Sequence, residues 1–303
     1  MGELRFDGRV AVLTGAGRGV GRAEAIELAR RGAAVVVNDV GFEELEGGKR
    51  EQGVAQAVAD EIVAAGGRAV ANSEDAGAPG TGSRLIEQAM DEFGGVDIVV
   101  ANAGTSKQVS FADMSFEDFE FTLHTHLYSS FHVIKAAWPH LQRNRYGRIV
   151  MTTSGVGMFG MANSITYGTA KAGIYGFMRG LSIEGEQHGI KVNAFWPTAF
   201  TRMIRGSEDL VQRVRAGMPI ELAIPVAIWL AHESCSLTGE TLHGGSGRVS
   251  RVVVAETLGV HRPGFSPEDV ADNLEAILDP TNQHAYRVAS ESNKFQSKLT
   301  GVT

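Results

Sequence analysis

Cysteine is nearly absent from this chain of 303 residues, which contains Cys235 alone. A single cysteine excludes an intrachain disulfide and a metal cage of several thiolates, and it favours a reducing compartment. Proline is also scarce, with 8 residues, whereas glycine is abundant, with 38. The glycines show no three-residue period, which excludes collagen. The glycine excess therefore predicts many tight turns between strands and helices.

Positive charge is also in deficit, since 28 Lys and Arg stand against 35 Asp and Glu, a net charge of −7. This balance gives no sign of the basic surface that nucleic-acid binding needs. The sequence shows no run near the roughly 20 apolar residues of a membrane span. The first ten residues lack the apolar core of a signal peptide, and the last five match no peroxisomal or endoplasmic-reticulum address. We expect a soluble cytoplasmic protein with no nucleic-acid partner, membrane or metal.

Short β-branched runs alternate with stretches of helical periodicity, within an ordinary globular composition of 43% hydrophobic residues. The predicted strands are Val10–Leu13, Ala34–Asn38, Ala69–Ala71, Asp97–Ala101, Arg148–Thr153 and Lys191–Trp196. The predicted helices are Gly19–Arg31, Gly53–Ala65, Ser83–Phe93, Ser115–Asn144 with a bend or boundary at Pro139, and Ser164–Gln187. This order predicts an α/β fold with a parallel sheet covered on both faces, and right-handed crossovers make it doubly wound.

The pattern weakens after Gly247. A strand is expected at Val252–Val254 and a helix at Pro267–Leu278, capped by Ser266 with Asp269 three positions later. The last twenty residues are polar and are expected to be frayed or packed on a partner subunit. We therefore expect one domain at residues 5–247 and a C-terminal extension at 248–303 that acts as a lid or an oligomer contact.

A glycine-rich turn, Thr14-Gly-Ala-Gly-Arg-Gly-Val-Gly21, joins the first strand to the first helix. Such a turn lets a pyrophosphate approach the backbone at a helix N-terminus. Asp39 ends the second strand, where a carboxylate accepts the ribose hydroxyls of NAD and repels the 2′-phosphate of NADP. Arg18 is either a solvated turn residue or a cation that favours that phosphate. We give Asp39 more weight, so NAD is expected and NADP is the alternative. Asn102-Ala103-Gly104 ends the fourth strand, on the edge where ligands bind.

A second group of residues has the properties of a proton-transfer site. Ser154 closes the fifth predicted strand, and Tyr167 and Lys171 follow one turn apart on the next helix. A nearby ammonium lowers the pKa of a tyrosine, which ordinarily lies near 10. Tyr167 can then exchange a proton with an alcohol or carbonyl oxygen while Ser154 donates a hydrogen bond to it. The alternative is that Tyr167 and Lys171 are an exposed helical pair with no catalytic role. The dinucleotide-binding turn in the same chain argues against this alternative.

Taken in order, these motifs and Pro197 resemble the short-chain dehydrogenase/reductase superfamily over about residues 5–247. The resemblance implies a single Rossmann-type domain of about seven strands, NAD(P)-dependent oxidation or reduction, and a homodimer or homotetramer paired through long helices. The catalytic residues that it implies are Ser154, Tyr167, Lys171 and His126. The cofactor contacts that it implies are Gly15, Arg18, Gly19, Val20, Gly21, Asp39, Asp75, Ala76, Asn102, Ala103, Gly104, Tyr167, Lys171, Pro197, Thr198 and Thr201.

A narrower set of motifs comprises Arg5-Phe-Asp-Gly-Arg9, Val37-Asn-Asp39 with a long insertion after it, Ala136-Ala-Trp138, Tyr146-Gly-Arg-Ile149, Ile183-Glu-Gly185 and His232-Glu-Ser-Cys235. Through these motifs the chain is similar to the 3-hydroxyacyl-CoA dehydrogenase domains of peroxisomal multifunctional enzymes type 2, and 41–52 corresponds to their insertion. It departs from the wider family at three positions of the site. Ala101 replaces the usual Asn before Asn102. His126 replaces the usual Asn, so its role in a proton relay, through its carbonyl or its ring, is an open alternative to simple packing. Thr198 replaces a common Gly after Pro197.

Apolar residues flank the polar trio and suggest a bulky lipophilic substrate, such as a 3-hydroxyacyl-CoA or a steroid alcohol. They are Met158, Phe159, Met161, Phe200, Met203, Ile204 and Met218. The leading hypothesis is an NAD-dependent oxidoreductase that interconverts a secondary alcohol and a ketone. An NADPH-dependent 3-oxoacyl reductase is one alternative, and a non-catalytic NAD-binding scaffold is another, although a scaffold needs no proton-transfer residue.

Overall fold

We describe the protein from a computed structural model that covers residues 2–43, 48–201 and 207–300, without the side chains of 210 and 298–300. The chain divides into two compact units, Met1–Arg251 and Val252–Thr303, and each is described by itself. The last strand of the first unit begins after Gly247, beyond the boundary that the sequence suggested.

The first unit contains an eight-stranded sheet in the order β3-β2-β1-β4-β5-β6-β7-β8. The strands are β1 Val10–Thr14, β2 Ala34–Asn38, β3 Arg68–Asn72, β4 Ile98–Ala101, β5 Gly147–Thr152, β6 Ile190–Thr198, β7 Thr241–Gly245 and β8 Arg248–Val252. The pairings from β3 to β7 are all parallel. Ser246 and Gly247 both have positive φ, which suits a tight two-residue hairpin turn between β7 and β8. The α/β doubly wound prediction is confirmed, with one strand more than expected.

Helices cover both faces of this sheet. They are α1 Gly19–Arg30, α2 Val54–Ala64, α3 Thr81–Phe93, α4 Phe116–Leu123, α5 Ser129–Asn144, α6 Val156–Phe159, α7 Ile165–Glu186, α8 Glu208–Gly217 and α9 Pro225–Ala231, with a π-helical turn His124–Tyr128 and a 3-10 turn Ile220–Leu222. Alternate strand residues face opposite sides. Leu13 packs with α1, α2 and α9 residues in one apolar layer, whereas Val12 packs with α3, α5 and α7 residues in the other.

Of the bend or boundary expected at Pro139, the boundary is wrong. Pro139 lies inside α5, which continues to Asn144 and ends at Arg145 in the left-handed conformation. Ala137 and Leu141 flank the proline and are fully buried in the core. Their packing holds the helix together although proline removes one backbone donor. The long predicted helix is instead interrupted earlier, by the π-helical turn.

The second unit pairs two short antiparallel strands, β9 Glu256–Thr257 and β10 Gln283–His284. Its helices are α10 Pro267–Asp272, α11 Leu274–Leu278 and α12 Ala289–Thr300. The predicted cap is confirmed, because Ser266 and Asp269 form a reciprocal capping box. The strand expected at Val252–Val254 is wrong, since β8 begins earlier and ends at Val252. Of the two possibilities for the polar end, fraying is wrong because α12 extends to Thr300, and packing on a partner subunit stays a prediction.

One window of the described residues, Val211–Ala231, is long and apolar enough by composition to cross a membrane, which the sequence analysis did not anticipate. It is not one continuous helix, because it runs through the end of α8, the 3-10 turn and α9. A single window of this kind is weak evidence for a span, since apolar core segments pass the same test.

Candidate active site

The carboxyl ends of the parallel strands open into a cavity of about 570 Å³ in the first unit. This is the edge at which open α/β sheets bind their ligands. Sixteen of the residues expected at the site line the cavity: Gly15, Arg18, Gly19, Val20, Asp39, Asp75, Ala76, Asn102, Ala103, Gly104, His126, Ser154, Tyr167, Lys171, Pro197 and Thr201. Gly21 and Thr198 do not line it.

The glycines of the first turn are required by close packing. Gly15 has φ of +63°, and a Cβ there would lie 2.6 Å from the Cα of Ala103. Gly21 stands behind the turn, where a Cβ would lie 2.4 Å from Asn102 Nδ2. Gly19, also at positive φ, begins α1. The turn therefore presents backbone without side chains at a helix N-terminus. This arrangement fits the pyrophosphate of a dinucleotide.

Asp39 sits beside this turn and fixes its position. Its two carboxylate oxygens accept hydrogen bonds from the backbone N–H groups of Gly17, at 2.9 Å, and Gly41, at 2.8 Å. Each oxygen keeps further lone pairs for a ligand. The residues present thus place a fixed negative charge where the adenosine ribose of a dinucleotide would lie.

Arg18 is held by the charged insertion that follows β2. Its guanidinium donates to the carbonyl of Phe42, at 2.7 Å, and forms an ion pair with Glu51. The Arg18 guanidinium, which the sequence analysis considered as a cation that favours the 2′-phosphate of NADP, is therefore already paired within the protein. Glu51 itself is exposed and does not line the cavity, and nothing in the sequence pattern had indicated that pairing.

Asn102 connects the ends of three strands. Its Nδ2 donates to the carbonyl of Gly15, at 3.0 Å, and its Oδ1 accepts from the hydroxyl of Thr152, at 3.2 Å. The hydroxyl of Thr14 accepts from the backbone N–H groups of Asn102 and Ala103. Thr14 and Thr152 were not among the predicted site residues, although Thr14 precedes Gly15 and Thr152 lies two residues before Ser154.

Asp75 and His124 form a pair on the cavity wall that the sequence did not indicate. One Asp75 oxygen accepts from the N–H of Gly77, and the other lies 3.1 Å from His124 Nε2. The hydrogen bond to His124 lowers the pKa of Asp75, and the same bond raises the pKa of His124. The pair therefore favours the charged forms of both side chains.

The proposed proton-transfer residues come together as predicted. Ser154 follows β5, while Tyr167 and Lys171 lie one turn apart on α7. Ser154 and Tyr167 both line the cavity, and the Ser154 hydroxyl is close enough to Tyr167 to act on its pKa. Lys171 Nζ donates to the carbonyl of Thr152, at 2.7 Å, and lies 5.6 Å from the centre of the Tyr167 ring.

The electrostatics of this group differ from the expectation. Burial raises the pKa of Tyr167, although the Ser154 hydroxyl acts in the opposite direction. Burial also lowers the pKa of Lys171 to about 7. The predicted lowering of the tyrosine pKa by Lys171 is therefore wrong, because the lysine is itself desolvated and only partly charged near neutral pH.

His126 is fully buried in the π-helical turn. Its Nε2 lies 3.0 Å from the amide nitrogen and 2.7 Å from the carbonyl oxygen of Thr105, and its ring meets the Tyr167 ring edge-on. Its Nδ1 has no hydrogen-bond partner in the described part of the chain. Burial and the nearby Lys171 hold its pKa well below the usual 6.5, so the ring is neutral. The His126 carbonyl accepts from the hydroxyl of Ser130.

The apolar residues expected around the substrate are only partly assembled. Phe200 lines the cavity, while Met158 and Met218 are half-buried and outside its lining. Phe159 and Met161 are exposed beyond it, and Met203 and Ile204 lie outside the described residues. Thr198 turns its hydroxyl to His243, 2.8 Å away, rather than to the cavity.

A short-chain dehydrogenase family model matches residues 9–209 of the chain. The chain belongs to the short-chain dehydrogenase family. It is therefore an oxidoreductase of CH–OH groups that binds a nicotinamide cofactor and acts on small-molecule substrates.

Three relatives illustrate the range of similarity. The chain is 40% identical to the peroxisomal multifunctional enzyme type 2 of Mus musculus, over 99% of this chain and 40% of that protein. It is 34% identical to the 3-oxoacyl-[acyl-carrier-protein] reductase of Escherichia coli, over 80% of this chain and 98% of that one. The structure of the full-length Drosophila melanogaster multifunctional enzyme type 2 superposes with a TM-score of 0.80 at 31% identity, covering 99% of this chain and 51% of that one.

The chain thus spans only 40% of the Mus musculus enzyme and 51% of the Drosophila melanogaster one. Their names place those enzymes in the peroxisome, whereas the sequence analysis here expected the cytoplasm, which stays a prediction.

Proposed function

We propose that this protein is an NAD-dependent dehydrogenase that interconverts a secondary alcohol and a ketone, with a 3-hydroxyacyl-CoA as the first substrate to test and a steroid alcohol as the second. The observation that carries the proposal is the hydroxyl pair of Ser154 and Tyr167 beside Lys171, in the cavity that begins at the glycine turn. The relatives named for multifunctional and 3-oxoacyl enzymes support an acyl thioester as substrate.

The residues divide the chemistry among themselves. Tyr167 takes the hydroxyl proton of the alcohol, and Ser154 donates a hydrogen bond to the same oxygen. Lys171, when charged, stabilises the tyrosinate that oxidation requires. NAD supplies the hydride acceptor when it is bound. Asn102 and Gly104 line the cavity at the strand ends, where they would contact the bound dinucleotide.

The preference for NAD rests on Asp39 and Glu51. A 2′-phosphate on the adenosine ribose would meet the Asp39 carboxylate, and Arg18 is already paired with Glu51. An NADPH-dependent 3-oxoacyl reductase is the second candidate, and the resemblance to the E. coli reductase favours it. The carboxylates of Asp39 and Glu51 make the NADPH-dependent reductase the weaker of the two candidates.

The cofactor preference is tested with the purified chain. We expect tighter binding of NAD than of NADP by fluorescence titration, and Asp39→Ser should narrow that gap by at least tenfold, because it removes the charge that repels the phosphate. Asp60→Ser, an exposed carboxylate on α2, serves as the control and should leave the ratio unchanged. Equal affinity for both cofactors in the unmodified protein would contradict the proposal.

The chemistry is tested by Tyr167→Phe, which keeps the ring and removes the hydroxyl. Turnover of 3-hydroxybutyryl-CoA should fall by roughly 10²–10⁴-fold, as expected for loss of a general acid or base. The affinity for NAD should change little. Tyr175→Phe, two turns further along α7, is the matched control and should keep full activity. Near-normal turnover in Tyr167→Phe would remove the tyrosine from the mechanism.

We also propose that the long helices α5 and α7 pair two copies of the chain. Phe131 on α5 is 45% exposed and Ile183 on α7 is 51% exposed, and the Phe131 ring lies 6.2 Å from that of Phe177. Exposed apolar residues on neighbouring helices are typical of subunit contacts. Light scattering should give the mass of a dimer or tetramer, and Phe131→Asp with Ile183→Asp should reduce it to that of a monomer.

A further inference from the structure

Asp75 lies at the end of the cavity that is remote from the proton-transfer residues. It follows β3, whereas Ser154 follows β5, and the order β3-β2-β1-β4-β5 separates these strands by four spacings, about 19 Å. Asp39 follows β2, the neighbour of β3, and both aspartates line the cavity. A dinucleotide that extends from Ser154 past Asp39 therefore brings its adenosine end to Asp75.

His124 lies behind Asp75 and does not line the cavity. Its Nε2 is 3.1 Å from one Asp75 carboxylate oxygen, and the other oxygen accepts from the N–H of Gly77. Gly77 packs so closely on the imidazole that a Cβ there would lie 2.6 Å from Nε2. The ring is therefore held against the carboxylate. The Asp75 side chain keeps 24% of its surface exposed, and a ligand in the cavity would cover it further.

Other ionisable groups surround this pair. Arg50, in the insertion after β2, lies 3.8 Å from Asp75, but it is 46% exposed and solvent screens its charge. Glu120, one turn before His124 on α4, adds to the negative charge that raises the pKa of the imidazole. The Tyr128 ring meets the His124 ring edge-on, with 6.3 Å between their centres. His124 is the member of this group whose ordinary pKa, 6.5, lies nearest to neutral pH.

A bound dinucleotide favours the protonated form of His124 for two reasons. Its pyrophosphate is anionic, and a positive imidazolium attracts it. Its adenosine end takes water away from the Asp75 carboxylate, and a desolvated carboxylate depends more strongly on a close cation than a solvated one does. Both effects have the same sign, so the binding of the dinucleotide and the binding of the proton reinforce each other.

We propose that His124 is a positioning residue for the cofactor, which holds the Asp75 carboxylate at the adenosine end of the cavity and takes up a proton when NAD binds. The inference rests on the proposed function, because it takes NAD as the ligand, and it adds that the affinity for NAD falls as the pH rises. Asp75 raises the pKa of His124 in the free protein, and the ligand raises it further. The affinity is therefore highest below the first pKa and falls until the pH passes the second.

The test measures the dissociation constants of NAD and of ADP-ribose by isothermal titration calorimetry at pH 6, 7, 8 and 9, with the purified chain. Both ligands should bind at least about fivefold more weakly at pH 9 than at pH 6, the lower end of the usual coupling between two sites. Titrations between pH 7 and 8 in two buffers of different ionisation enthalpy should show proton uptake on binding. ADP-ribose lacks the nicotinamide, and it separates this effect from Lys171, whose pKa of about 7 lies in the same window.

His124→Gln keeps a hydrogen-bond donor toward Asp75 and removes the titration. It should bind ADP-ribose with the same affinity at every pH, close to that of the unmodified protein at pH 9, and without proton uptake. A variant in which His124 had only a structural role would bind more weakly and keep the pH dependence. His261→Gln replaces an exposed histidine outside the cavity lining and is the control, which should keep the full pH dependence. Thermal unfolding followed by circular dichroism checks that both variants are folded.

Three results would overturn the inference and leave the proposed function standing, because NAD still binds in each of them. The first is an affinity of the unmodified protein for ADP-ribose that is the same at pH 6 and pH 9. The second is an unchanged pH dependence in His124→Gln. The third is a pH dependence seen with NAD but not with ADP-ribose, which would assign the proton to the nicotinamide end. Failure of NAD to bind at any pH would overturn both the inference and the proposed function.

Discussion

Glu24 is a buried ionisable residue that has no role in the proposed chemistry. It lies on α1, its side chain is fully buried, and its two carboxylate oxygens have no hydrogen-bond partner among the residues described. Burial alone raises its pKa from 4.5 to about 8. The folded protein therefore keeps a proton on Glu24 at neutral pH, whereas the unfolded chain loses it.

This difference makes stability depend on pH. Below about pH 4.5 both states bind the proton, so Glu24 has no effect on the pH dependence. Between 4.5 and 8 the folded state binds more protons than the unfolded state, and the free energy of unfolding falls by roughly 1.4 kcal/mol per pH unit. At pH 7 the accumulated loss is about 3 kcal/mol, a large part of the stability of an ordinary domain.

Glu24→Gln removes the titration and keeps the shape of the protonated side chain. We expect the variant to match the unmodified protein at pH 4.5, to be more stable by about 3 kcal/mol at pH 7, and to gain little more above pH 8. The assay is urea unfolding followed by circular dichroism at whole pH units from 5 to 9. The difference between the two proteins isolates Glu24, because every other titrating group is common to both.

Glu27→Gln, three residues further along α1, is the matched control. Glu27 is half-buried and accepts hydrogen bonds from Arg30 and Arg31, and the bond to Arg30 lowers its pKa. Its removal should destabilise the protein by a similar amount at every pH from 5 to 9, because the paired carboxylate is already ionised in both states. A stability difference for Glu24→Gln that does not change between pH 5 and 8 would refute the assignment of a buried, protonated carboxyl.

Three further outcomes follow from the electrostatics and the caps. Oxidative kcat/KM should rise with pH up to at least pH 9, because burial raises the pKa of Tyr167 and the reaction needs its deprotonated form; a plateau below pH 8 speaks against this role. Cys235 is buried and its pKa is raised, so iodoacetamide at pH 8 should modify it only after unfolding, as mass spectrometry can show. Ser266→Ala should weaken the α10 cap by about 1 kcal/mol, and the faster hydrogen exchange should be confined to that helix, with β1 unaffected.

Features set by local patterning could be predicted from the sequence. The strand Ala34–Asn38 has the predicted bounds, because five consecutive residues of a central strand are buried on both faces. The glycine turn before α1 and the cap at Ser266 were equally readable, since each depends on residues within one or two turns. The cavity at the strand ends follows from the parallel order of the sheet, which places these segments at one edge.

Features set by tertiary packing were not predictable in this way. Pro139 is a helix breaker by local rules, and only the burial of Ala137 and Leu141 keeps α5 continuous. The pKa of Tyr167 depends on how deeply the tyrosine and Lys171 are buried, and the one-turn spacing carries no information about depth. Local spacing correctly placed both side chains but predicted the wrong direction of the shift.

Two charged pairs at the site join residues that are far apart in the chain. Arg18 meets Glu51 across 33 residues, and Asp75 meets His124 across 49. No periodic pattern indicates such partners, because they depend on which loops the sheet brings together.

Two of the departures from the family pattern, Thr198 and His126, also depend on residues that are distant in the chain. Thr198 is accommodated by His243, which accepts or donates at its hydroxyl. His126 fits because residue 104 is a glycine, since a Cβ there would lie 2.1 Å from the imidazole Cε1. In the sequence Gly104 looks like part of a strand terminator that any dehydrogenase of this family would carry. In the structure it also makes the space for the histidine ring that contacts Tyr167, so the two positions have to be considered together.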